Sequence, residues 1–354
     1  ICTDKTGTLT EAKMVVAGIY TGTKELLSDD QKYSEKINKN GIESHILALK
    51  IATLCSEAFV ENPDEPLERW IVRGRPTERA LLLAGIQAGL NKKELEKTQL
   101  EIDRLPFDPV YKYSVTLRQF SEKDAKRPKE NILYLLGAPE IILGMSKYLE
   151  LDGRQEVLSE AKIEELEEKF EALAGKGQRI LATAYRKVLS IEYKVSDIKL
   201  EDLCKDLTFV GLISLHDPLR KEVKEAIRVC RQAGMRPIIV TGDHKLTAKA
   251  IATELGLPAK EENIIEGKDL DLLSDKEFQK RLKEIEIYAR VEPTQKLRII
   301  KTWQERGEVV AMTGDGINDA PALKRADIGL ALGSGTDVAK AVSYTHLTLP
   351  TKRI

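Results

Sequence analysis

Three short loops of the sequence combine carboxylates with small residues that expose backbone N–H groups. They read DKTGTLT at 4–10, VTGD at 240–243 and TGDGIND at 313–319. An aspartate in such a setting can act as a nucleophile, threonine and lysine can bind phosphate oxygens, and paired carboxylates can hold a divalent ion. Together the loops form a coherent set: a nucleophile-grade aspartate, a threonine for phosphate, a lysine to neutralise charge and a carboxylate pair for a divalent ion.

Each of these features has a simpler interpretation when it is taken alone. A TGD sequence is commonly a tight turn, because glycine supplies the turn conformation. Lys296 could be a solvated surface charge, and Asp315 and Asp319 could merely cap the helix that follows them. The presence of all these groups in one chain favours the catalytic interpretation.

Alternating strands and helices position the loops. From about Asp217 to Leu332, short apolar strands such as RPIIVTGD and ADIGLAL are separated by helices that begin near proline and end at glycine. The segment DPLRKEVKEAIRVCRQAG predicts a helix with Asp217 as its N-cap and a stop at Gly234. Continuous apolar strands indicate a parallel sheet with both faces covered, and such sheets bind ligands at the carboxyl ends of their strands.

The stretch between these parts has an α+β pattern. MVVAGIY, YSVTLRQF, ILYLLGA and LTFVGLISL are strand-like, and long polar or helical segments separate them. We therefore expect a discontinuous α/β domain at 1–14 and 216–341. An inserted α+β domain would occupy 15–215, and an atypical tail 342–354.

Composition narrows the function classes. The 354 residues include 56 basic and 57 acidic side chains, and this balance argues against a dedicated nucleic-acid binder. No apolar run approaches the roughly 20 residues of a membrane helix. The four cysteines are scattered without metal-ligand spacing, which indicates free thiols.

The segments DKTGTLT, TGD and GDGINDAPAL, in this order, resemble the catalytic segment of P-type ATPases, the ion pumps built on a haloacid-dehalogenase-like fold. The resemblance spans nearly the whole chain and implies a Rossmannoid parallel sheet with an inserted α+β nucleotide-binding domain. It implies that Asp4 attacks the γ-phosphate of ATP, and that Mg²⁺ and ATP are the cofactors. The implied catalytic residues are Asp4, Lys5, Thr6, Thr241, Lys296 and Asn318. The implied Mg²⁺ ligands are Asp4, the backbone carbonyl of Thr6, Asp315 and Asp319.

The same resemblance implies a set of nucleotide contacts. Phe107 matches a ring that stacks on adenine, although the sequence alone allows a core aromatic equally well. Leu136 stands where the family commonly has the lysine of KGAPE, so nucleotide binding there is expected to be weaker or rearranged. The implied nucleotide-binding residues are Glu78, Phe107, Lys112, Arg179, Gly242, Asp243 and Arg290.

Thr6 distinguishes a pump from a phosphatase. Related phosphatases carry a second aspartate two positions after the nucleophile, which acts as general acid and then as base. This chain has Thr6 there, so a phosphoenzyme is expected to persist. The alternatives are a soluble haloacid-dehalogenase-type phosphatase and a module that binds ATP without turnover.

The resemblance also bears on the transported ion and on the parent protein. GDGINDAPALKRADIGLALGSGTDVAK is closest to the calcium and sodium/potassium branch, and calcium is the first expectation. The chain is expected to be a soluble cytoplasmic segment of a membrane protein. The transmembrane and actuator domains would then lie outside it, and no nucleic-acid partner is expected.

Overall fold

A computed structural model describes residues 1–27, 43–66, 69–120, 130–189, 199–333, 335–343 and 345–347. Of the tail expected at 342–354, residues 344 and 348–354 lie outside this part. The described chain forms two compact units. The first contains 1–13, 175–177 and the described residues from 217 onward, and the second contains the described residues of 14–174 and 178–216.

The strands, in chain order, are β1 Cys2–Thr3, β2 Val15–Thr21, β3 Glu25–Leu27, β4 Phe59–Val60, β5 Val72–Arg73, β6 Glu101–Asp108, β7 Tyr113–Phe120, β8 Glu130–Gly137, β9 Ser146–Leu151, β10 Arg154–Val157, β11 Arg179–Leu189, β12 Leu207–His216, β13 Ile238–Val240, β14 Ile264–Glu266, β15 Ile287–Ala289, β16 Ala311–Gly314, β17 Ile328–Leu332 and β18 Thr345–Leu347. The helices are Ser44–Cys55, Pro76–Gln87, Lys92–Thr98, Pro139–Gly144, Glu160–Gly175, Val223–Gln232, Lys245–Glu254, Gly267–Leu272, Asp275–Arg281, Pro293–Glu305, Ala320–Arg325 and Asp337–Ala341. None of the helices in the described ranges is both long and apolar enough to cross a bilayer.

The first unit is built on a parallel sheet with the order β14-β15-β13-β1-β16-β17-β18. Strand β1 is central, since it pairs in parallel with β13 on one side and with β16 on the other. Ile238 and Val240 contribute to one apolar cluster, whereas Ile239 between them contributes to another. Because successive side chains of a strand point to opposite faces, both faces of the sheet are buried, as the continuous apolar strands predict.

The second unit is built on a mainly antiparallel sheet with the order β10-β9-β12-β11-β8-β7-β6, and β2 also pairs with β12. Only the pairing of β9 with β12 is parallel among the described strands of this sheet. In β8, Leu133 and Leu135 join one core cluster, and Tyr134 and Leu136 join the other. The predicted fold class, an α/β sheet with an inserted α+β unit, is confirmed.

The helix predicted to start with Asp217 as its N-cap begins instead at Val223. Asp217 accepts hydrogen bonds from Thr10 Oγ1 at 2.6 Å and from the backbone N–H of Lys13 at 3.0 Å. The prediction was wrong because these partners, about 200 positions away in the chain, satisfy the carboxylate in place of the helix N-terminus. The stop at Gly234 is confirmed, since its φ of +77° is left-handed.

Candidate active site

The carboxyl ends of adjacent strands bring the predicted loops together. Strand β1 leads into Asp4, β13 into Thr241 and β16 into Asp315. The backbone N–H of Asp4 donates to the carbonyl of Thr313 at 3.0 Å, which continues the pairing of β1 with β16. The order β13-β1-β16 therefore sets the three loops side by side at one edge of the sheet.

Lys296 places a positive charge between two carboxylates of these loops. It lies in the helix Pro293–Glu305 and is only 4% exposed. Its ammonium donates to Asp4 Oδ1 at 2.7 Å and to Asp319 Oδ1 at 2.6 Å. The interpretation of Lys296 as a solvated surface charge is therefore wrong.

Gln295 fixes the turn of helix that carries Lys296. Its side-chain oxygen accepts from the N–H of Glu292 at 2.8 Å, and its amide donates to the carbonyl of Gly267 at 3.0 Å and to Asp271 Oδ2 at 2.6 Å. The sequence analysis did not identify Gln295. A capping-box pattern is nevertheless present, since Gln295 occupies the third helical position after Glu292.

Burial shapes the charges of this site. Burial, together with repulsion from Asp319 and Asp315, raises the pKa of Asp4 to about 6, although Lys296 acts in the opposite direction. Burial disfavours the charged form of Lys296, but Asp4 and Asp319 outweigh it and the pKa of Lys296 is raised. Burial and Asp319 also raise the pKa of Asp315. The site thus concentrates negative charge in a poorly solvated place, which favours binding of a further cation.

The carboxylates of Asp4, Asp315 and Asp319 are close enough to share one divalent ion. One oxygen from each lies within 4.8 Å of the other two. Oxygen donors suit Mg²⁺, and the single ammonium of Lys296 leaves this group of three carboxylates with excess negative charge. Asp319 Oδ2 also accepts from the N–H of Gly316 at 3.2 Å. Asp319 therefore orients both its own loop and the ammonium of Lys296. These residues fit a magnesium ion.

The loop after Asp4 is held by Arg220, which the sequence analysis did not identify. Arg220 Nη2 donates to the carbonyl of Gly7 at 2.7 Å, and Nε donates to the carbonyl of Thr8 at 3.2 Å. Gly7 has a φ of +76°, and a Cβ atom there would overlap the Asp315 carboxylate. No sequence pattern could have indicated Arg220, because every residue carries the backbone carbonyls that it binds.

A second set of predicted residues meets around Asp243. Lys5 is buried and forms an ion pair with Asp243. Thr6 is exposed and its hydroxyl lies 3.5 Å from Asp243 Oδ2. The hydroxyl of Thr241, which is also buried, accepts from the N–H of Asp243 at 3.1 Å, and Gly242 lies between the two. Asp243 therefore connects the loops after β1 and β13.

Two predicted residues lie at the rim of the site. Asn318 is exposed in the 3₁₀ turn Ile317–Asp319. Arg290 follows β15 with a φ of +49°, and its backbone N–H donates to the carbonyl of Asp243 at 2.9 Å. Within the described residues, neither side chain hydrogen-bonds to Asp4 or Lys296.

The predicted nucleotide contacts of the second unit form two pairs. Arg179 Nη1 donates to Thr77 Oγ1 at 2.9 Å, next to Glu78 near the start of the helix Pro76–Gln87. Phe107 and Lys112 flank the turn between β6 and β7. Phe107 is 44% exposed, so the alternative of a core aromatic is wrong. Leu136 is buried in the sheet.

Lys112 is held in an unusual backbone conformation. Its φ is +60°, its N–H donates to the carbonyl of Asp108 at 2.7 Å, and its carbonyl accepts from the N–H of Ala138 at 2.9 Å. Its ammonium lies 3.4 Å from Glu140 Oε1. Left-handed non-glycine residues occur in turns and also cluster at ligand-binding sites.

Comparisons with known proteins agree with one another. The family described as "P-type ATPase, cytoplasmic domain N" matches residues 45–222. A calcium-transporting ATPase of Listeria monocytogenes is 37% identical over 350 residues, which cover 98% of this chain and 37% of that protein. A calcium-transporting ATPase of Bacillus subtilis is also 37% identical, over 97% of this chain and 38% of its own length.

A more distant relative is the alpha subunit of a sodium/potassium-transporting ATPase of Drosophila melanogaster. It is 34% identical over 96% of this chain and 36% of its own length. The chain thus spans less than two fifths of the curated relatives that it matches.

Proposed function

This chain belongs to the P-type ATPases, and we propose that it is the catalytic segment of an ATP-driven cation pump, which binds MgATP and forms an aspartyl-phosphate at Asp4. The observation that carries the proposal is the contact of one buried ammonium, that of Lys296, with both Asp4 and Asp319. A carboxylate that attacks a polyanion needs such a neutralising group beside it.

In the proposed reaction a carboxylate oxygen of Asp4 attacks the γ-phosphorus of ATP. The bond between that phosphorus and the oxygen bridging to the β-phosphate breaks, and ADP leaves with the electron pair. Lys296 moves no proton. It lies where it can offset the charge of the transferred group.

Asp4, Asp315 and Asp319 would hold Mg²⁺, with the carbonyl of Thr6 as a further candidate ligand. When bound, the ion would neutralise phosphate oxygens and orient them. Thr241, Asn318 and Lys5 are the remaining groups that we assign to the phosphoryl group, from the loops that adjoin Asp4.

We assign nucleotide binding to residues of both units. In the second unit these are Glu78, Phe107, Lys112 and Arg179, and in the first they are Gly242, Asp243 and Arg290. The exposed ring of Phe107 supports its assignment, because a ring buried in the core could not stack on a base. Leu136 offers no charge to the nucleotide, so we propose weaker binding there than a lysine would give.

We propose calcium as the transported cation of the parent protein, since two of the relatives described above are named for calcium. Sodium and potassium form the second candidate, because the Drosophila relative is named for them. The labelling of the parent protein in graded concentrations of each ion would distinguish them.

Incubation with γ-labelled ATP and Mg²⁺ tests the catalytic proposal. We expect acid-stable label in the chain without substitutions and none in the Asp4→Asn variant. A matched control is Asp337→Asn, because Asp337 is fully exposed at the start of the helix Asp337–Ala341. Circular dichroism and ATP-binding measurements establish that each variant is folded and binds nucleotide.

The outcomes separate three functions. Label on Asp4 that persists supports the pump segment. Rapid release of phosphate from small phosphomonoesters would instead indicate a phosphatase. ATP binding in a folded chain with no label and no phosphate release would indicate a module that only binds nucleotide.

A further inference from the structure

We propose that Arg220 is a positioning residue for phosphoryl transfer, because its guanidinium fixes the loop that follows Asp4 against the Asp315 carboxylate. The inference rests on the proposed function of Asp4. It adds a residue outside the DKTGTLT, TGD and TGDGIND loops to the catalytic apparatus.

Arg220 binds three successive carbonyls of this loop. Its side chain donates to Gly7 at 2.7 Å and to Thr8 at 3.2 Å, and its backbone N–H donates to Leu9 at 2.9 Å. Two nitrogens of one planar group hold neighbouring carbonyls, which a lysine ammonium cannot do in the same geometry. Arg220 therefore sets the direction of the loop as well as its charge environment.

The loop needs such a constraint because its conformation is unusual. Gly7 is left-handed, and its Cα faces the Asp315 carboxylate so closely that no Cβ fits between them. The N–H of Gly7 donates to Thr10 Oγ1 at 3.2 Å, and that hydroxyl donates to Asp217 Oδ2 at 2.6 Å. The segment is thus fastened by Thr10 and Asp217 at one end and by Arg220 along its length.

Loss of the guanidinium would leave two carbonyls of this loop without their donor. A polar group that is buried without a partner costs about 1–3 kcal/mol. The loop would therefore rearrange until water can hydrogen-bond to these two carbonyls. The rearrangement would shift Asp4 relative to Asp315 and Lys296. A misplacement of about 1 Å at a reacting group can lower a rate by about 100-fold.

The test compares Arg220→Lys and Arg220→Met with the parent chain. Arg228→Lys is the matched control, since Arg228 is exposed and, in the part of the chain that the structure describes, pairs with Glu225 alone, one helical turn away. We expect the Kd for ATP to change by less than about twofold and the rate of phosphoenzyme formation at saturating MgATP to fall by at least about tenfold in both Arg220 variants. Arg228→Lys should match the parent.

Hydrogen exchange provides a readout that does not depend on activity. We expect faster exchange in residues 5–11 of both Arg220 variants and unchanged exchange in the helix Lys245–Glu254. If the parent chain forms no label, the proposed function fails, whereas the exchange result still tests the constraint on the loop.

Two outcomes would overturn the inference. One is parental exchange and a parental labelling rate in Arg220→Lys. The other is a general rise in exchange across the first unit, together with a lower melting temperature, which would give Arg220 a role in stability alone.

Discussion

The ammonium of Lys296 lies 2.7 Å from the carboxylate of Asp4, although 292 positions separate the two residues in the chain. Lys296 is carried by the helix Pro293–Glu305, and Asp4 directly follows the central strand β1. The same ammonium bonds to Asp319, so one positive charge holds the loops after β1 and β16 together. Any change to this contact should affect both the stability of the first unit and the proposed reaction.

Lys296→Met should lower the free energy of unfolding, because Asp4 and Asp319 would keep their burial and lose their common partner. Breaking a buried ion pair from one side costs about 3–5 kcal/mol. Adding Asp4→Asn should recover part of that loss, because the second substitution removes one of the unpaired charges. Urea denaturation of both single variants and the double variant measures the coupling. Strictly additive losses would contradict the direct contact.

Lys296→Met should also reduce the initial rate of phosphoenzyme formation by at least about 100-fold, as is typical when a charge-stabilising donor is removed. Rapid-quench labelling measures this rate. Lys301→Met is the control, since Lys301 is exposed on the same helix. Comparable labelling by the two variants would remove Lys296 from the proposed reaction.

Gly7→Ala should be more harmful than the same substitution at Gly256, a left-handed glycine in open space. Gly256 has nearly the same φ, +73° against +76°, but a Cβ there would meet nothing within 4 Å. We expect Gly256→Ala to cost about 1 kcal/mol from backbone strain alone and Gly7→Ala at least about 2 kcal/mol. Gly7→Ala should also abolish labelling. Equal costs at the two sites would contradict the close approach of Gly7 to Asp315.

Thr6→Asp should shorten the lifetime of the phosphoenzyme. Thr6 is exposed beside Asp243, so a carboxylate there could reach water and act as a general base. General base catalysis contributes at least about 100-fold in favourable geometry, and we expect at least about tenfold here. Thr6→Asn is the matched control, because it has a similar size and takes no proton. Chase of labelled enzyme with unlabelled ATP measures the lifetime, and identical decay in the two variants would count against this interpretation of Thr6.

Glu140→Gln should increase the affinity for ATP. Glu140 lies 3.4 Å from the ammonium of Lys112, and both side chains are about half exposed. A surface pair of this kind is worth up to about 1 kcal/mol, so its loss should lower the Kd for ATP by up to about fivefold. The effect should disappear in a Lys112→Gln background. Glu165→Gln, at an exposed pair on another helix, should leave the Kd unchanged.

Glu101 should stabilise the second unit in a pH-dependent way. Its carboxylate accepts from Arg104 and from Arg118, each at 2.7 Å. Partial burial acts against the charged form, but the two arginines outweigh it and the pKa of Glu101 is lowered. This contribution is fully present above the unfolded-state pKa, about 4.3, and is lost as the pH falls through the lower folded-state value. Glu101→Gln should therefore destabilise the chain more at pH 7 than in acid. Urea denaturation at pH 7 and in acid measures the free energy of unfolding. An equal decrease under both conditions would exclude Glu101 as the titrating group.

Much of the fold could be predicted from local sequence. The helix Pro293–Glu305 starts at its proline, and β7, β8 and β12 fall where apolar runs predict them. The failure at Asp217 has a clear cause, since a local capping signal competed with partners elsewhere in the chain. A similar long-range cap occurs in the second unit, where Asp152 accepts from the N–H of Ser44 at 2.8 Å and replaces a local N-cap.

The sequence by itself determined which loops carry reactive groups, because the residue types and their places after apolar strands are local properties. It also predicted that both sheet faces are buried, since strands such as β13 and β17 are apolar throughout. Only the tertiary structure decided that β1 lies between β13 and β16 and that Lys296 contacts Asp4. The same holds for the hydrogen bonds from Arg220 to the carbonyls of Gly7 and Thr8. The physical reason is that strand order and backbone carbonyl partners depend on which segments bury one another, and neither leaves a mark in the spacing of side chains.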